Sequence, residues 1–211
     1  DIILEGGVEN YWMVYSYHPM LYAIADSLPL WAADLYEQEI LSPRDNSTKF
    51  KVAMGIYDIP YAKWWSNRMK EDFDDLGIFE LVIDETWPVE SITDWSGFLS
   101  KVRANPPDFL VFGDSQSSNA ITFVDQFMED PIDGCYLWLV DTPTYADFRE
   151  ALGDSGNGVL TGWLGGGFSE VWEPWTNYKQ KFEARWGYDA PYQGSVVYYE
   201  CQIWWDACMR A

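Results

Sequence analysis

Short apolar runs and amphipathic segments alternate along this chain with a period of roughly 25 to 30 residues. Runs without polar alternation predict strands that are buried on both faces, as in parallel sheets. Segments with apolar residues three and four positions apart predict helices. The predicted strands are YWMVYSY at 11–17, FKVAMGIY at 50–57, FELVID at 79–84, DFLVFG at 108–113, CYLWLV at 135–140 and GVLTGWL at 158–164.

Predicted helices fill the intervals between these strands. Gly77 and Gly187 are typical of positions just past a helix end, and Asp94 is a good N-cap residue. Strand–helix alternation with right-handed crossovers predicts an open, mostly parallel α/β sheet with helices on both faces. We interpret residues 1–211 as a single α/β lobe. The predicted helices cover 20–39, 62–76, 95–104, 117–128, 144–152, 169–186 and 193–210.

Composition narrows the classes of partner. The 211 residues are 48% apolar, which is enough for a substantial core, and the net charge is −21. The 13 basic residues are scattered, so a nucleic-acid or polyphosphate partner is not expected. Aromatic residues make up 18% of the chain. Most of these rings are expected in the core, and the alternative is that some line a site for an organic ligand.

Motifs of the common enzyme classes are missing from the sequence. His18 is the one histidine, and no serine elbow or phosphate-binding glycine loop follows a predicted strand. The glycine-rich GWLGGGFSE at 162–170 lacks the lysine of a phosphate loop, and the acidic EDPIDG at 129–134 lacks the calcium-loop register. We therefore expect no catalysis, no cofactor and no metal. An enzyme built on a related α/β sheet is the weaker alternative.

Polar and aromatic residues follow three of the predicted strands at the point where each strand ends. Carboxyl ends of parallel strands meet at one edge of a sheet, where open α/β folds bind ligands. The set holds no nucleophile–base pair, so it suits a small polar organic ligand. The alternative is that these residues only cap the helices that follow. They are Tyr57, Asp58 and Tyr61 after the second strand, Asp114 to Ser118 after the fourth, and Asp141, Thr142 and Thr144 after the fifth.

Four blocks of sequence resemble the type I solute-binding proteins of ABC importers, the leucine/isoleucine/valine-binding receptors. They are KVAMGIYDIPYAKWW at 51–65, TDWSGFLSKVRANPPDFLVFG at 93–113, GDSGNGVLTGW at 153–163 and YKQKFEARWGYDAPYQGSVVYY at 178–199. The matching positions are Asp58, Tyr61, Thr93 to Ser96, Pro107, Asp108, Gly187, Pro191 and Tyr199.

The resemblance implies a receptor that captures an amino acid or similar small polar ligand by closing two lobes around it. The chain resembles mainly the second lobe, so the first lobe and a C-terminal tail are expected outside the sequence. The implied location is periplasmic or on the cell surface, and the implied partner is an ABC permease in the membrane. A ligand-sensing regulatory domain with the same fold is the alternative.

The resemblance also implies a set of ligand residues. Tyr61 lines the cleft, Ser115 follows the fourth strand beside Asp114 and Gln116, and Asp141 meets a ligand ammonium. Ser115 departs from the aromatic residue common at its position in amino-acid binders. With Thr142 from the adjoining strand end and the segment before the last helix, the expected ligand-binding residues are Tyr61, Asp114, Ser115, Gln116, Asp141, Thr142, Tyr192 and Gln193.

Overall fold

The computed structural model describes residues 21–162 and 173–187, together with positions 190, 198, 201, 204, 205, 208 and 209. The chain divides into two compact units. One comprises Met20–Leu164, and the other comprises Asp1–Pro19 with Gly165–Ala211. The predicted strand at 11–17 lies outside the described residues, as does most of the predicted helix at 193–210. The single lobe over 1–211 stays a prediction.

The unit Met20–Leu164 is built on a five-stranded sheet in which every described strand pairing is parallel. The strand order is β2-β1-β3-β4-β5. This arrangement confirms the predicted open, parallel α/β class. The strands are β1 Phe50–Tyr57, β2 Phe79–Trp87, β3 Phe109–Gly113, β4 Tyr136–Leu139 and β5 Leu160–Thr161.

Six helices are described. The second ends at Gly77, whose φ of 68° suits glycine, and the third begins beside Asp94, which accepts a hydrogen bond from the Ser96 N–H at 2.9 Å. None of the described helices is both long enough and apolar enough to cross a membrane. The helices are α1 Leu21–Glu37, α2 Pro60–Leu76, α3 Ser96–Ala104, α4 Ser117–Met128, α5 Ala146–Leu152 and α6 Glu173–Trp186.

Two of the predicted strands differ in the structure by more than a residue or two at their ends. The strand predicted at 79–84 continues to Trp87, because the Trp87 ring packs on Trp95 and Phe112 with ring centres 5.0 and 5.2 Å away. Of the strand predicted at 158–164, the described part, 158–162, contains a strand of two residues, Leu160–Thr161.

Aromatic side chains form much of the core, as the composition suggested. On one side of the sheet, the rings of Phe112 and Phe123 stack 4.1 Å apart, and both side chains are fully buried. On the other side, Trp65 from α2 lies over the end of β3. A Cβ atom at Gly113 would lie 2.5 Å from the Trp65 ring, so only glycine lets the strand end pass under this ring.

Candidate functional site

The carboxyl ends of β1, β3 and β4 lie side by side at one edge of the sheet. Ile56 in β1 pairs with Gly113 in β3, and Phe112 pairs with Leu139 in β4. The residues that follow these strands are therefore neighbours. The structure thus brings together six of the residues predicted at this edge, Tyr57, Tyr61, Asp114, Ser115, Asp141 and Thr142, and it adds Tyr145.

Asp114 anchors the loop that follows β3. Its side chain is fully buried, and Oδ2 accepts hydrogen bonds from Trp87 Nε1 at 3.0 Å and from Asn119 Nδ2 at 2.8 Å. Its other oxygen accepts the Gln116 N–H at 2.9 Å. With both oxygens engaged inside the protein, the Asp114 carboxylate fixes the position of Ser115 and adds negative charge to the site.

The Gln116 side chain is turned toward the loop that precedes α3. Its amide nitrogen lies 3.4 Å from the Glu90 carbonyl oxygen, which also accepts a hydrogen bond from Asn119 at 2.9 Å. This exposed contact leaves Gln116 at the rim of the site, so a contact with ligand stays a prediction. Asp58, also predicted at this edge, is exposed and forms an ion pair with Lys63.

Asp141 occupies a strained turn directly after β4. Its φ and ψ are 44° and −40°, and the Thr142 N–H bonds to the Val140 carbonyl across it. This is a γ-turn of the rare kind, and such a backbone costs roughly 1–3 kcal/mol. The Asp141 carbonyl accepts both the N–H and the hydroxyl of Thr144, at 2.9 and 2.6 Å. These bonds hold the strained residue in one position.

Asp141 is 5% exposed, and its carboxyl group has an unusual acidity. Burial raises its pKa from 3.8 to about 6, and the nearby Asp114 charge adds to the rise. The hydroxyl groups of Ser115 and Tyr145 act in the opposite direction, since they favour the charged carboxylate. The net result is a buried carboxylate that is charged near neutral pH at an energetic cost.

Three tyrosines surround this carboxyl group. Burial is the largest cause of the raised pKa of Tyr57, Tyr61 and Tyr145, and the Asp141 charge raises each further. All three phenols therefore stay protonated and can donate hydrogen bonds at any ordinary pH. Tyr57 was expected at this strand end, whereas Tyr145 was missed because no motif marks it. Its one sequence signal is its position, four residues after Asp141 and directly before α5.

Four buried polar atoms at this edge have no hydrogen-bond partner in the part of the chain that the structure describes: Tyr61 Oη, Ser115 Oγ, Asp141 Oδ1 and Thr142 Oγ1. The Ser115 hydroxyl lowers the pKa of Asp141 but forms no hydrogen bond with Oδ1 in this structure. An unpartnered buried polar group costs about 1–3 kcal/mol and is uncommon in folded proteins. Such a cluster has unused capacity to bind a polar group from outside the chain.

The site is acidic, with no basic side chain among the described groups that act on Asp141, Tyr57, Tyr61 and Tyr145. Within the described ranges no three His, Cys, Asp or Glu residues are arranged to hold a metal ion. Tyr192 and Gln193, predicted to form another wall, lie outside the described residues, and so does nearly all of the glycine-rich segment at 162–170.

Comparison with protein-family models and with curated protein sequences finds no match. Solved structures do match. A protein assigned as a branched-chain amino acid ABC transporter from Silicibacter pomeroyi is 21% identical, with a TM-score of 0.79 over 94% of this chain and 48% of that one. A leucine binding protein from Thermotoga maritima is 14% identical, with a TM-score of 0.69 over 90% of this chain and 50% of that one.

A third match is the solute binding protein of an ABC transporter from R. palustris, solved with benzoate. It is 16% identical, with a TM-score of 0.65 over 84% of this chain and 44% of that one. The chain thus has the fold of type I periplasmic binding proteins, as the sequence resemblance predicted. It spans about half the length of the proteins it matches.

Proposed function

We propose that this chain is one lobe of an extracytoplasmic solute-binding receptor that captures an amino acid or similar small polar compound for an ABC importer. The observation that carries the proposal is the cluster of four unpartnered buried polar atoms around Asp141 at the sheet edge. In open α/β folds this edge is the usual place for a ligand. The receptor acts by binding and closure, without bond chemistry.

Charge indicates which part of the ligand this lobe holds. Asp141 and Asp114 are both buried, and no described basic group offsets them. A ligand ammonium would stabilise the charged form of Asp141 through a charge-assisted hydrogen bond to Oδ1. The same ammonium could donate to Ser115 Oγ and Thr142 Oγ1, and Tyr61 would hold a neighbouring polar group. Gln116, Tyr192 and Gln193 remain proposed walls of the cleft.

The two kinds of ligand named for the matching structures differ in charge. One match is a leucine binding protein, and another was solved with benzoate. A carboxylate facing Asp141 would meet like charge in a poorly solvated place, which is unfavourable. We therefore favour a ligand that turns an amino or amide group toward this lobe. Its remaining contacts would come from a second lobe, in keeping with the half-length match.

Isothermal titration calorimetry with a panel of amino acids, amides and benzoates tests the proposal. The full-length receptor is expected to bind one ammonium- or amide-bearing compound with micromolar or tighter affinity. Asp141→Ala should weaken that binding strongly, about 100-fold for loss of a buried charge-assisted bond. Asp133→Ala is the matched control, because Asp133 is exposed in the loop before β4. An unchanged affinity in Asp141→Ala would refute the role assigned to Asp141.

A further inference from the structure

Asn119 connects the loop after β3 to the segment at 88–95, which links β2 to α3 without forming a helix or a strand. It lies in the first turn of α4 and is fully buried. Its side-chain nitrogen donates to Asp114 Oδ2 at 2.8 Å and to the Glu90 carbonyl at 2.9 Å. Its side-chain oxygen accepts the Ile92 N–H at 2.9 Å. Because an amide has two donor hydrogens and one oxygen, the Asn119 side chain is held in a single orientation.

The Asp114 carboxylate is held from three directions. Besides the bond from Asn119, Oδ2 accepts the Trp87 indole N–H at 3.0 Å, and Oδ1 accepts the Gln116 N–H at 2.9 Å. The last bond joins a side-chain oxygen to the N–H two residues on, which makes an Asx-turn with Ser115 as its middle residue. Since Asp114 is fully buried, a donor that is removed leaves a charged oxygen poorly satisfied. The orientation of Asp114 therefore determines the backbone of Ser115.

The sheet does not fix the position of Ser115 by itself. The described pairing of β3 with β4 ends at Phe112 and Leu139, three residues before Ser115. The Ser115 hydroxyl is one of the buried polar atoms without a partner in the described part of the chain. The Asx-turn at Asp114 is thus the contact that places this hydroxyl beside the end of β4.

We propose that Asn119 is a positioning residue of the binding site: its hydrogen bond to Asp114 holds the turn in which the Ser115 hydroxyl faces the ligand. This proposal rests on the proposed function for its ligand, whereas the effect of Asn119 on the turn is a property of the chain alone. Asn119 acts through Asp114 and Ser115 and does not touch the ligand, because its own donors and acceptor are engaged within the protein.

Gln126, two turns further along α4, provides a matched control. Its side chain accepts the Trp95 N–H at 2.7 Å and donates to the Thr93 carbonyl at 2.8 Å. Asn119 and Gln126 thus each bind the backbone of the segment at 88–95 through one donor and one acceptor. Of the two, Asn119 alone also bonds to Asp114 among the described contacts. Loss of the segment's anchoring would affect both alanine variants, whereas loss of the turn would affect only Asn119→Ala.

Hydrogen exchange followed by NMR in the 211-residue chain tests the positioning role without any ligand. The reporters are the Gln116 backbone N–H and the Trp87 indole N–H, which both bond to Asp114. In Asn119→Ala both should exchange about tenfold faster relative to the amides of β3, the effect of one lost bond to a charged group. In Gln126→Ala both rates should match the parent. The proposal is overturned if Asn119→Ala leaves these rates unchanged, or if Gln126→Ala raises them equally.

The parent chain supplies a readout that needs no variant. If Asn119 holds Asp114, then the Asn119 side-chain protons, the Trp87 indole proton and the Gln116 amide proton become exposed in one common opening. All three should therefore show the same protection from exchange. Asn119 side-chain protons that exchange freely while the Gln116 N–H stays protected would also overturn the proposal.

Calorimetry of the full-length receptor with the panel of amino acids and amides extends the test to the ligand. Asn119→Ala should weaken binding about tenfold, and Gln126→Ala should bind as the parent does. In a Ser115→Ala background the same Asn119→Ala change should have little further effect, because the hydroxyl that it positions is gone. A loss of equal size in that background would refute the action through Ser115. If no panel compound binds, the proposed function fails, and the exchange rates still decide the role of Asn119.

Discussion

Replacement of Asp141 by asparagine should make the protein more stable while it weakens ligand binding. The change keeps the shape of the side chain and removes a charge that the fold disfavours. Burial raises the pKa of Asp141 from 3.8 to about 6, a difference of about 2 units. At about 1.4 kcal/mol per unit, the charged carboxylate destabilises the folded chain by roughly 3 kcal/mol at neutral pH.

Because the pKa of Asp141 is raised in the folded chain, the destabilisation depends on pH. Between about pH 4 and pH 6 the folded chain retains a proton on Asp141 that the unfolded chain has lost, so stability falls as pH rises. Above pH 6 the charged carboxylate destabilises the folded chain by the full amount, and below pH 4 this destabilisation is absent. The gain from Asp141→Asn should therefore be about 3 kcal/mol at pH 7.5 and close to zero at pH 3.5.

Urea unfolding followed by tryptophan fluorescence measures the difference at both pH values. Asp72 also has a pKa raised to about 6, mainly by burial. Its effect on stability is the same in the parent protein and in Asp141→Asn, so it cancels when the two are compared. Asp108→Asn is the control, because Asp108 accepts the N–H groups of Arg44 and Lys51 at 2.8 and 2.6 Å. That variant should lose about 1–3 kcal/mol. A destabilised Asp141→Asn, or a gain that persists at pH 3.5, would refute the reasoning.

Three further predictions concern residues that hold the site in position and the net charge of the chain. Asn119→Ala leaves the Ile92 N–H without its 2.9 Å partner and Asp114 without one donor, so we expect a loss of about 2 kcal/mol in urea unfolding. Gly113→Ala should cost about 2 kcal/mol or more by contact with Trp65, whereas Gly97→Ala, with no atom within 4 Å, should be neutral or stabilising. The net charge of −21 predicts a melting temperature that rises from 0.05 to about 1 M NaCl, and a flat or falling profile in scanning fluorimetry would contradict this.

Much of the sheet could be predicted because its central strands are buried on both faces. The runs at 108–113 and 135–140 correspond to β3 Phe109–Gly113 and β4 Tyr136–Leu139. Edges were harder. The run at 158–164 has the composition of a buried strand, but among its described residues, 158–162, only Leu160 and Thr161 pair with β4. Composition indicates that a segment is apolar, but not how many residues find a neighbouring strand.

The location of the site could be predicted from the sequence, but the roles of its individual residues were harder to predict. Parallel topology alone predicts that the residues after β1, β3 and β4 meet. The buried network of Asp114 was not predictable, because its donors Trp87 and Asn119 lie 27 and 5 residues away. Tyr145 was missed for a similar reason. Its approach to Asp141 depends on a turn with a φ of 44° at a non-glycine residue, which no sequence pattern marks.

A crystal structure of the full-length receptor with its bound solute tests the central claim most directly. The account predicts a protonated amine or an amide nitrogen of the solute about 2.7–2.9 Å from Asp141 Oδ1, with Ser115 and Thr142 hydroxyl groups in reach of the same group. A solute bound away from this sheet edge, or one that turns a carboxylate toward Asp141, would contradict it.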